Sequence, residues 1–534
     1  MHARISGQRR LPMPRIPSHP ESFGPRAASA LALGVILLAG CGSPANDPKV
    51  ANELVVALDN APMNLDPRVG TDSASGRAFE VFLNGLVSKD PRGNVIPALA
   101  ESWEVSEDGR RYRFHLRPDV VFHDGHQLTS ADVVFTFSTI LDGSVPTPKR
   151  GSLAQVEKIE AVDDLTVDFH LSESSGAILI NFTEFMGIIP VGSASEEFNK
   201  NPIGTGPFQV VERGIDHVAF TAFDESWQGR PVIDRLVLRA IPDSTVRALE
   251  LRKGSVQLLV NGLPPDLVAD YRDNPEFEVI ETPGSNYAYL GFNLETEYLG
   301  DAAVRRAIAL GLDRQRLIDT LWQGLAVATE TMMPEGHWAR NEGIELIPYD
   351  PAGARTVLDE AGYTDPDGDG PEPRFRLTYK TSTDETAVLQ AQVVQAMLAE
   401  VGIAIDIRSY EFATFYGDIK SGNFEMFSLR WMGVVDPDIY RLTLHSDSFP
   451  PNGANRGRYS NPEFDRLIDA GARELDSASR RPFYVDAQEI LADELPYVSL
   501  YTKVNVAVYR AGLRGYENYL SGEFLSFGSL EWAR

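Results

Sequence analysis

The chain has 534 residues and a formal net charge of −27 at pH 7, because 76 Asp and Glu outnumber 49 Lys and Arg. This charge argues against a nucleic-acid-binding function, since contacts to phosphates need a surplus of Lys and Arg. Cys41 is the only cysteine, which excludes an internal disulfide framework and a multi-cysteine metal site.

The N-terminal region has the features of a secretory signal. Five Arg and one Glu accompany an apolar run at 28–40, which is shorter than the roughly 20 residues of a membrane-spanning helix. LAGC at 38–41 resembles the bacterial lipobox, in which the cysteine is lipidated and becomes the new N-terminus. We therefore predict a lipoprotein signal peptide at 1–40, lipidation of Cys41 and a tether at 41–50. Met1 and Met13 both fit as the initiating residue.

Strand and helix patterns alternate irregularly in the first part of the mature chain. Three segments have the apolar content or the alternation of strands, namely ELVVALD at 53–59, RRYRFHL at 110–116 and LTVDFHL at 165–171. SADVVFTFSTIL at 130–141 predicts a helix, because Thr129 and Asp132 fit a capping box at its start.

The second part of the chain predicts longer helices, at 301–324, 350–363, 385–402 and 480–495. Asp350 fits the N-cap of the second of these, with Pro351 at the first helical position. IAIDI at 403–407 predicts a strand, and PYVSLYTKVNVAVYR at 496–510 predicts two strand-like runs. The elements together predict an α/β chain with mixed sheets and at least two lobes.

Three motifs are similar to ligand sites, but turns explain them better. DPDGDG at 365–370 begins like a calcium loop, yet Arg376 stands where a bidentate glutamate is needed. HDGH at 123–126 contains an Asp-Gly turn signal, which favours a turn over a metal site. IGTGPF at 203–208 has the glycines of a phosphate loop, but a strand pattern follows it where a helix would be required.

The sequence has no motif for nucleophilic catalysis. Neither G-x-S-x-G nor S-x-x-K occurs, and the sole cysteine is assigned to the N-terminus. Carboxylates are numerous, but no pair stands out as a glycosidase pair. We predict that the protein is not an enzyme and has no cofactor and no catalytic or metal-binding residues. A secreted hydrolase on an unrelated two-domain scaffold is the less favoured alternative.

Four stretches taken together resemble family 5 of the bacterial extracellular solute-binding proteins, the oligopeptide- and dipeptide-binding components of ABC importers. They are 64–137 (NLDPRVGTD through VVFTF), 201–212 (NPIGTGPFQVVE), 289–318 (YLGFNLETEYLGDAAVRRAIALGLDRQRLI) and 429–446 (LRWMGVVDPDIYRLTLHS), the last followed by YSNPEFDRLIDAGAREL. The resemblance covers nearly the whole mature chain.

The resemblance implies a two-lobed periplasmic-binding-protein fold of the large (cluster C, type II) kind, α/β with mixed sheets and an extra subdomain in lobe one. Lobe one would comprise 51–285 and 505–534, with the extra subdomain at about 90–200, and lobe two would comprise 286–504. Two chain crossings would form a hinge, and a ligand would be enclosed when the lobes close.

The resemblance also implies the ligand-binding residues, namely Thr71, Asp72 and Ser73 of lobe one, Asn286 and Tyr287 near the hinge, and Trp431, Met432, Gly433, Val434 and Asp436 of lobe two. Peptide binders of the family place an aspartate three residues after the tryptophan, to pair with the ligand ammonium. Val434 stands there in this chain. A desolvated ammonium without a counter-charge is costly. Either Asp436 or another acid replaces this aspartate, or the ligand is not a free-amine peptide.

The function implied is that of the lipid-anchored substrate-binding subunit of an ABC importer. Such a subunit captures peptides by closure of two lobes and delivers them to a permease and ATPase complex. Alternative ligands are a nickel chelate, haem, an opine or a sugar. We expect a monomer without a nucleic-acid partner, held by its lipid alone on the periplasmic side of the inner membrane or on the outer cell face.

Overall fold

A computed structural model of the chain describes residues 52–368 and 370–533. Cys41 and the predicted signal peptide lie outside the described residues, as does Asp369 of the DPDGDG motif. Within these two ranges, no helix combines the length and the apolar character needed to cross a membrane.

The strands of the described residues are β1 (Glu53–Leu58), β2 (Val87–Lys89), β3 (Val95–Pro97), β4 (Ala100–Val105), β5 (Arg111–Leu116), β6 (Val156–Asp163), β7 (Thr166–Leu171), β8 (Phe208–Arg213), β9 (His217–Ala222), β10 (Arg235–Ala240), β11 (Leu258–Val260), β12 (Phe277–Phe292), β13 (Ala326–Ala328), β14 (Phe375–Ser382), β15 (Ile403–Tyr410), β16 (Met426–Trp431), β17 (Tyr497–Arg510), β18 (Leu513–Arg514) and β19 (Glu531–Trp532).

The α-helices of the same residues are α1 (Ser73–Phe82), α2 (Ser130–Leu141), α3 (Ser195–Lys200), α4 (Ser244–Lys253), α5 (Pro265–Arg272), α6 (Ala302–Leu310), α7 (Arg314–Trp322), α8 (Pro351–Glu360), α9 (Glu385–Ala399), α10 (Phe412–Ser421), α11 (Ile439–Leu444), α12 (Pro462–Arg473) and α13 (Ser477–Glu494).

One large sheet of eleven strands runs through the molecule, in the order β15-β14-β16-β12-β17-β11-β1-β10-β9-β8, with β13 also paired to β17. The pairs of β1 with β10 and β11, and of β14 with β15 and β16, are parallel. The pairs that β12 makes with β16 and β17 are antiparallel. The predicted α/β class with mixed sheets is confirmed.

The two longest strands, β12 and β17, join two halves of this sheet. The segment that begins at Phe277 pairs with the C-terminal part of β17, and the segment from Tyr287 pairs with its N-terminal part. The register of the ladder shifts between Pro283 and Tyr287. We call this interruption the strand crossing. It separates a first half, which contains β11, β1, β10, β9 and β8, from a second half, which contains β16, β14 and β15.

A separate four-stranded sheet, β4-β5-β7-β6, has its own apolar core under α2. The alternation predicted for 110–116 is confirmed, because Tyr112 and Phe114 are buried. The predicted capping box is present as well. The carboxylate of Asp132 accepts a hydrogen bond from the backbone N–H of Thr129 at 2.9 Å, at the start of α2.

Two predictions about elements were wrong. The single helix expected at 301–324 is divided into α6 and α7, because Asp313 caps a new helix by accepting from the N–H of Arg316 at 2.9 Å. The two runs expected at 496–510 form the one strand β17, since its side chains lie against apolar cores along most of its length. Local sequence signals do not show how far such a strand continues.

The motifs similar to ligand sites lie in turns. Gly125 of HDGH has φ of +88° in a tight loop that the bridge from Val121 to Gln127 closes. A Cβ atom on Gly204 of IGTGPF would overlap the carbonyl oxygen of Phe82, so this glycine permits a close approach of two backbones. The strand β8 then follows this motif, as the sequence predicted.

Candidate functional site

Trp431 is the last residue of β16, in the second half of the large sheet. Its half-buried indole stacks on Tyr289 with ring centroids 6.5 Å apart. The guanidinium of Arg456 lies 4.9 Å from the centroid of the Trp431 ring. These contacts fix the orientation of the indole, because stacked rings and a cation over a ring face both favour one geometry.

Tyr287 is opposite Trp431 in the ladder between β12 and β16. Its side chain is buried, and its hydroxyl lies 2.7 Å from that of Ser499. Burial raises the pKa of Tyr287 well above its usual value, so the phenol is neutral. Tyr287 therefore supports the site from within the core, and a ligand would reach it only after a rearrangement.

The loop after Trp431 is attached to the strand crossing. The N–H of Gly433 donates to Oδ1 of Asn286 at 3.1 Å, and the N–H of Val434 donates to the carbonyl of Ser285 at 3.0 Å. Gly433 has φ of +64°, which glycine adopts without strain. Met432, between Trp431 and Gly433, is exposed, whereas Val434 is buried. Asn286 thus positions the predicted binding loop of the second half.

Asp436 already has a cationic partner. Its carboxylate accepts from the guanidinium of Arg480 at 3.1 and 3.2 Å. Burial and the nearby Asp436 charge raise the pKa of Asp438 to about 6. A ligand ammonium at Asp436 would therefore compete with Arg480 for the same oxygens.

Thr71, Asp72 and Ser73 lie at the start of α1 in the first half. Thr71 and Ser73 are exposed, and Asp72 is the N-cap, which accepts from the N–H and hydroxyl of Ser75 at 2.9 and 2.6 Å. The same helix is linked to the strand crossing. Arg77 donates to the carbonyl of Ser521 at 2.7 Å, and the Ser521 hydroxyl lies 2.9 Å from that of Ser285.

A cavity of about 250 Å³ adjoins the end of β16 on the opposite face of the sheet from the Trp431 side chain. It lies where the parallel strands β14 and β16 end, and its lining includes Ser382, the last residue of β14, and Arg430, the last but one of β16. Ligands of open α/β sheets bind outside the carboxyl ends of the strands. The cavity is lined by Trp322, Thr381, Ser382, Asp384, Thr386, Ala387, Gln390, Phe412, Phe415, Ser428, Leu429, Arg430 and Tyr501.

The sequence analysis did not identify this cavity. Its walls come from α7, β14, α9, α10, β16 and β17, which are far apart along the chain. One signal was available in LRWMG, because Arg430 precedes Trp431 and neighbouring strand residues project to opposite faces. If the face of β16 that carries Trp431 forms a binding surface, the side chain of Arg430 projects from the other face of the sheet, where the cavity lies.

Comparisons with known proteins identify the family of the chain. The family described as "Bacterial extracellular solute-binding proteins, family 5 Middle" matches residues 94–451. Di/tripeptide-binding protein 3 of Pseudomonas aeruginosa is 30% identical over 517 residues, which cover 90% of this chain and 95% of that protein. Heme-binding protein A of Haemophilus influenzae is 29% identical over 531 residues, which cover 92% and 96% of the two chains.

A solved structure shares the fold. DppA from Helicobacter pylori, an ABC transporter-associated periplasmic binding protein in complex with the peptide STSA, superposes with a TM-score of 0.73 at 27% identity. The match covers 90% of this chain and 98% of that one. It confirms the predicted periplasmic-binding-protein fold. The chain therefore belongs to family 5 of the bacterial extracellular solute-binding proteins.

Proposed function

We propose that the protein captures peptides between its two lobes and delivers them to a membrane permease. As a family 5 member, the chain is the substrate-binding component of an ABC importer. The observation that carries the proposal is the position of the Trp431 loop, which is bonded to Ser285 and Asn286 at the strand crossing. Relatives named for di- and tripeptides support the choice of ligand class.

Lobe closure supplies the mechanism. The lobes in this proposal follow the predicted limits, with lobe two at 286–504 inserted between the segments of lobe one. A ligand that contacts both lobes binds the closed form more tightly than the open form, and this difference drives closure. The register shift between Pro283 and Tyr287 is the place where β12 can bend, since regular pairing is interrupted there.

A second ligand class has a specific observation in its favour. Val434 is apolar where peptide binders carry an aspartate, and Asp436 is paired with Arg480. A relative of similar identity is named a heme-binding protein. The alternative is therefore a solute without a free ammonium, such as haem, with the same closure mechanism.

A thermal-shift screen of the purified protein tests the ligand class. We expect a pool of di- and tripeptides to raise the melting temperature, because a ligand stabilises the folded state that binds it. Trp431→Ala should abolish most of that shift, whereas Trp532→Ala, a matched truncation in the separate pair of strands β18 and β19, should retain it. A shift with haem or nickel–histidine but with no peptide would overturn the peptide assignment.

Anchoring through a lipid on Cys41 completes the proposal. A tether of about ten residues would keep the binding lobes beside the permease on the periplasmic or outer cell face. Cys41→Ser should move the protein from the membrane fraction to the soluble fraction of the cell with no change in ligand affinity. Retention of the variant in the membrane fraction would contradict the anchor, and lost affinity would give Cys41 a role in the fold.

A further inference from the structure

The turn between α12 and α13, at 474–476, contacts the four-stranded sheet β4-β5-β7-β6. The side chain of Leu475 packs against the apolar core of this sheet. Its Cδ2 atom would be 3.3 Å from a Cβ atom at Gly109, in the loop between β4 and β5. In the proposed lobe assignment, Leu475 therefore extends from lobe two into the core of the subdomain of lobe one.

Arg480, in the first part of α13, lies against the same subdomain. It is 4% exposed. A Cβ atom at Gly176 would be 3.3 Å from Cδ of Arg480, so the aliphatic part of the arginine side chain packs against the backbone there. That backbone is fixed to the sheet, because the hydroxyl of Tyr112 donates to the carbonyl of Ser175 at 2.8 Å. Contact between the two lobes therefore encloses the aliphatic part of Arg480.

The guanidinium of the same arginine holds the loop that follows Trp431, at 432–438. Its two terminal nitrogens donate to the two carboxylate oxygens of Asp436 at 3.1 and 3.2 Å, and such a bidentate pair fixes the relative orientation of both groups. Asp436 also accepts from the N–H of Asp438 at 2.9 Å. Nε of Arg480 is buried without a hydrogen-bond partner among the described residues, a cost that these contacts offset.

We infer that Arg480 is a positioning residue that couples contact between the two lobes to the conformation of the loop after Trp431. The inference deepens the proposed function and rests on its lobe assignment. Ordering a long arginine side chain costs conformational entropy. When the subdomain encloses the aliphatic part of Arg480, this cost has already been met, and the guanidinium holds Asp436 more firmly. By the same linkage, a ligand that orders the loop favours the closed lobes.

Hydrogen–deuterium exchange of residues 432–438 in the ligand-free protein tests the coupling. The N–H groups of Gly433 and Val434 in this segment are hydrogen-bonded, so their exchange reports on the order of the loop. Leu475→Ala weakens the lobe contact and should accelerate this exchange about threefold or more. Arg480→Met keeps an aliphatic side chain but loses the donors, and should have at least as large an effect. Leu475→Ala should add nothing in the Arg480→Met background, because the coupling passes through Arg480.

Three further variants complete the exchange experiment. Leu249→Ala, on the exposed side of α4 in the first half, is the matched truncation and should leave the exchange of 432–438 unchanged. Arg480→Lys retains the charge and should recover part of the protection. Should Arg480→Met fail to fold, the double variant Leu475→Ala/Arg480→Lys replaces it, and Leu475→Ala should then have a smaller effect than in the wild type. Equal exchange in wild type and Leu475→Ala, or additive effects of the two substitutions, would overturn the inference.

Calorimetric titration with trialanine separates this inference from the peptide proposal. Leu475→Ala and Arg480→Met should each raise the Kd about tenfold, and the double variant should raise it no further. A double variant in which the two effects multiply would overturn the coupling. A wild type that binds neither trialanine nor the pool of di- and tripeptides would contradict the peptide proposal, while the exchange experiment would still decide the role of Arg480.

Discussion

Glu184 carries a carboxyl group that is almost fully buried. The side chain is 3% exposed and lines a cavity of about 180 Å³ with Lys89 and Glu80. Burial raises the pKa of Glu184 to about 7, against the opposing effects of the Ser88 hydroxyl and the Lys89 charge. Lys89 does not neutralise it, since its ammonium is paired with Glu523 at 2.6 Å.

Because of the buried carboxyl of Glu184, we expect the protein to become less stable as the pH rises. The folded state holds the proton that the unfolded chain releases near pH 4.5, so the free energy of unfolding falls between about pH 4.5 and 7. Glu184→Gln should remove this loss, on the order of 1–3 kcal/mol, when urea unfolding is compared at pH 4.5 and pH 8. The exposed Glu107→Gln should behave as the wild type does. An unchanged pH slope in Glu184→Gln would show that Glu184 does not titrate in this range.

The loop after β7 contacts the end of α12 away from the strand crossing. The N–H of Gly176 donates to the carbonyl of Ala472 at 3.1 Å, and the hydroxyl of Ser174 donates to that of Arg473 at 2.8 Å. In the proposed lobe assignment these bonds join the subdomain of lobe one to lobe two. Because hydrogen bonds between two lobes form only when the lobes are in contact, these two bonds would belong to the closed form.

Gly176→Ala should weaken ligand binding without unfolding the protein. A Cβ atom there would overlap the carbonyl oxygen of Glu474, so closure would carry a steric cost. We expect at least a tenfold rise in Kd for a peptide that binds the wild type, which corresponds to about 1.4 kcal/mol. Gly151→Ala is the matched control, because its Cβ would meet open space. Calorimetric titration makes the comparison, and equal affinities of the two variants would exclude this contact from the closed form.

Across the whole molecule, short-range signals predicted the elements well. The capping box of Thr129 and Asp132 and the cap at Asp350 form as expected, because each depends on residues within one helical turn. The break at Asp313 was missed because apolar residues recur every four positions on both sides of it, at Val304, Ile308 and Leu312 before it and at Leu317 and Leu321 after it. An apolar stripe indicates which face of a helical segment is buried, but it does not show whether the segment forms one helix or two.

The candidate site was predictable only in part. The resemblance located the loop from Trp431 to Asp436, and its bonds to Asn286 required the structure. Trp322, Thr381 and Arg430 line one cavity from three elements that the fold brings together. Sequence spacing does not show which residues of such distant elements line the same cavity.

The sheet order also constrains when the protein can finish folding. β11 pairs with β1 along one edge and with β17 along the other, so the first half keeps an open edge until Ala507–Tyr509 have been synthesised. The strands and helices of the second half of the sheet must be synthesised between β11 and β17. Contacts of such long sequence separation form slowly, and unpaired strand edges invite association with other chains. A truncated chain that ends before β17 would therefore lack a complete core in either half, and a nascent chain stays incomplete until β17 has been synthesised.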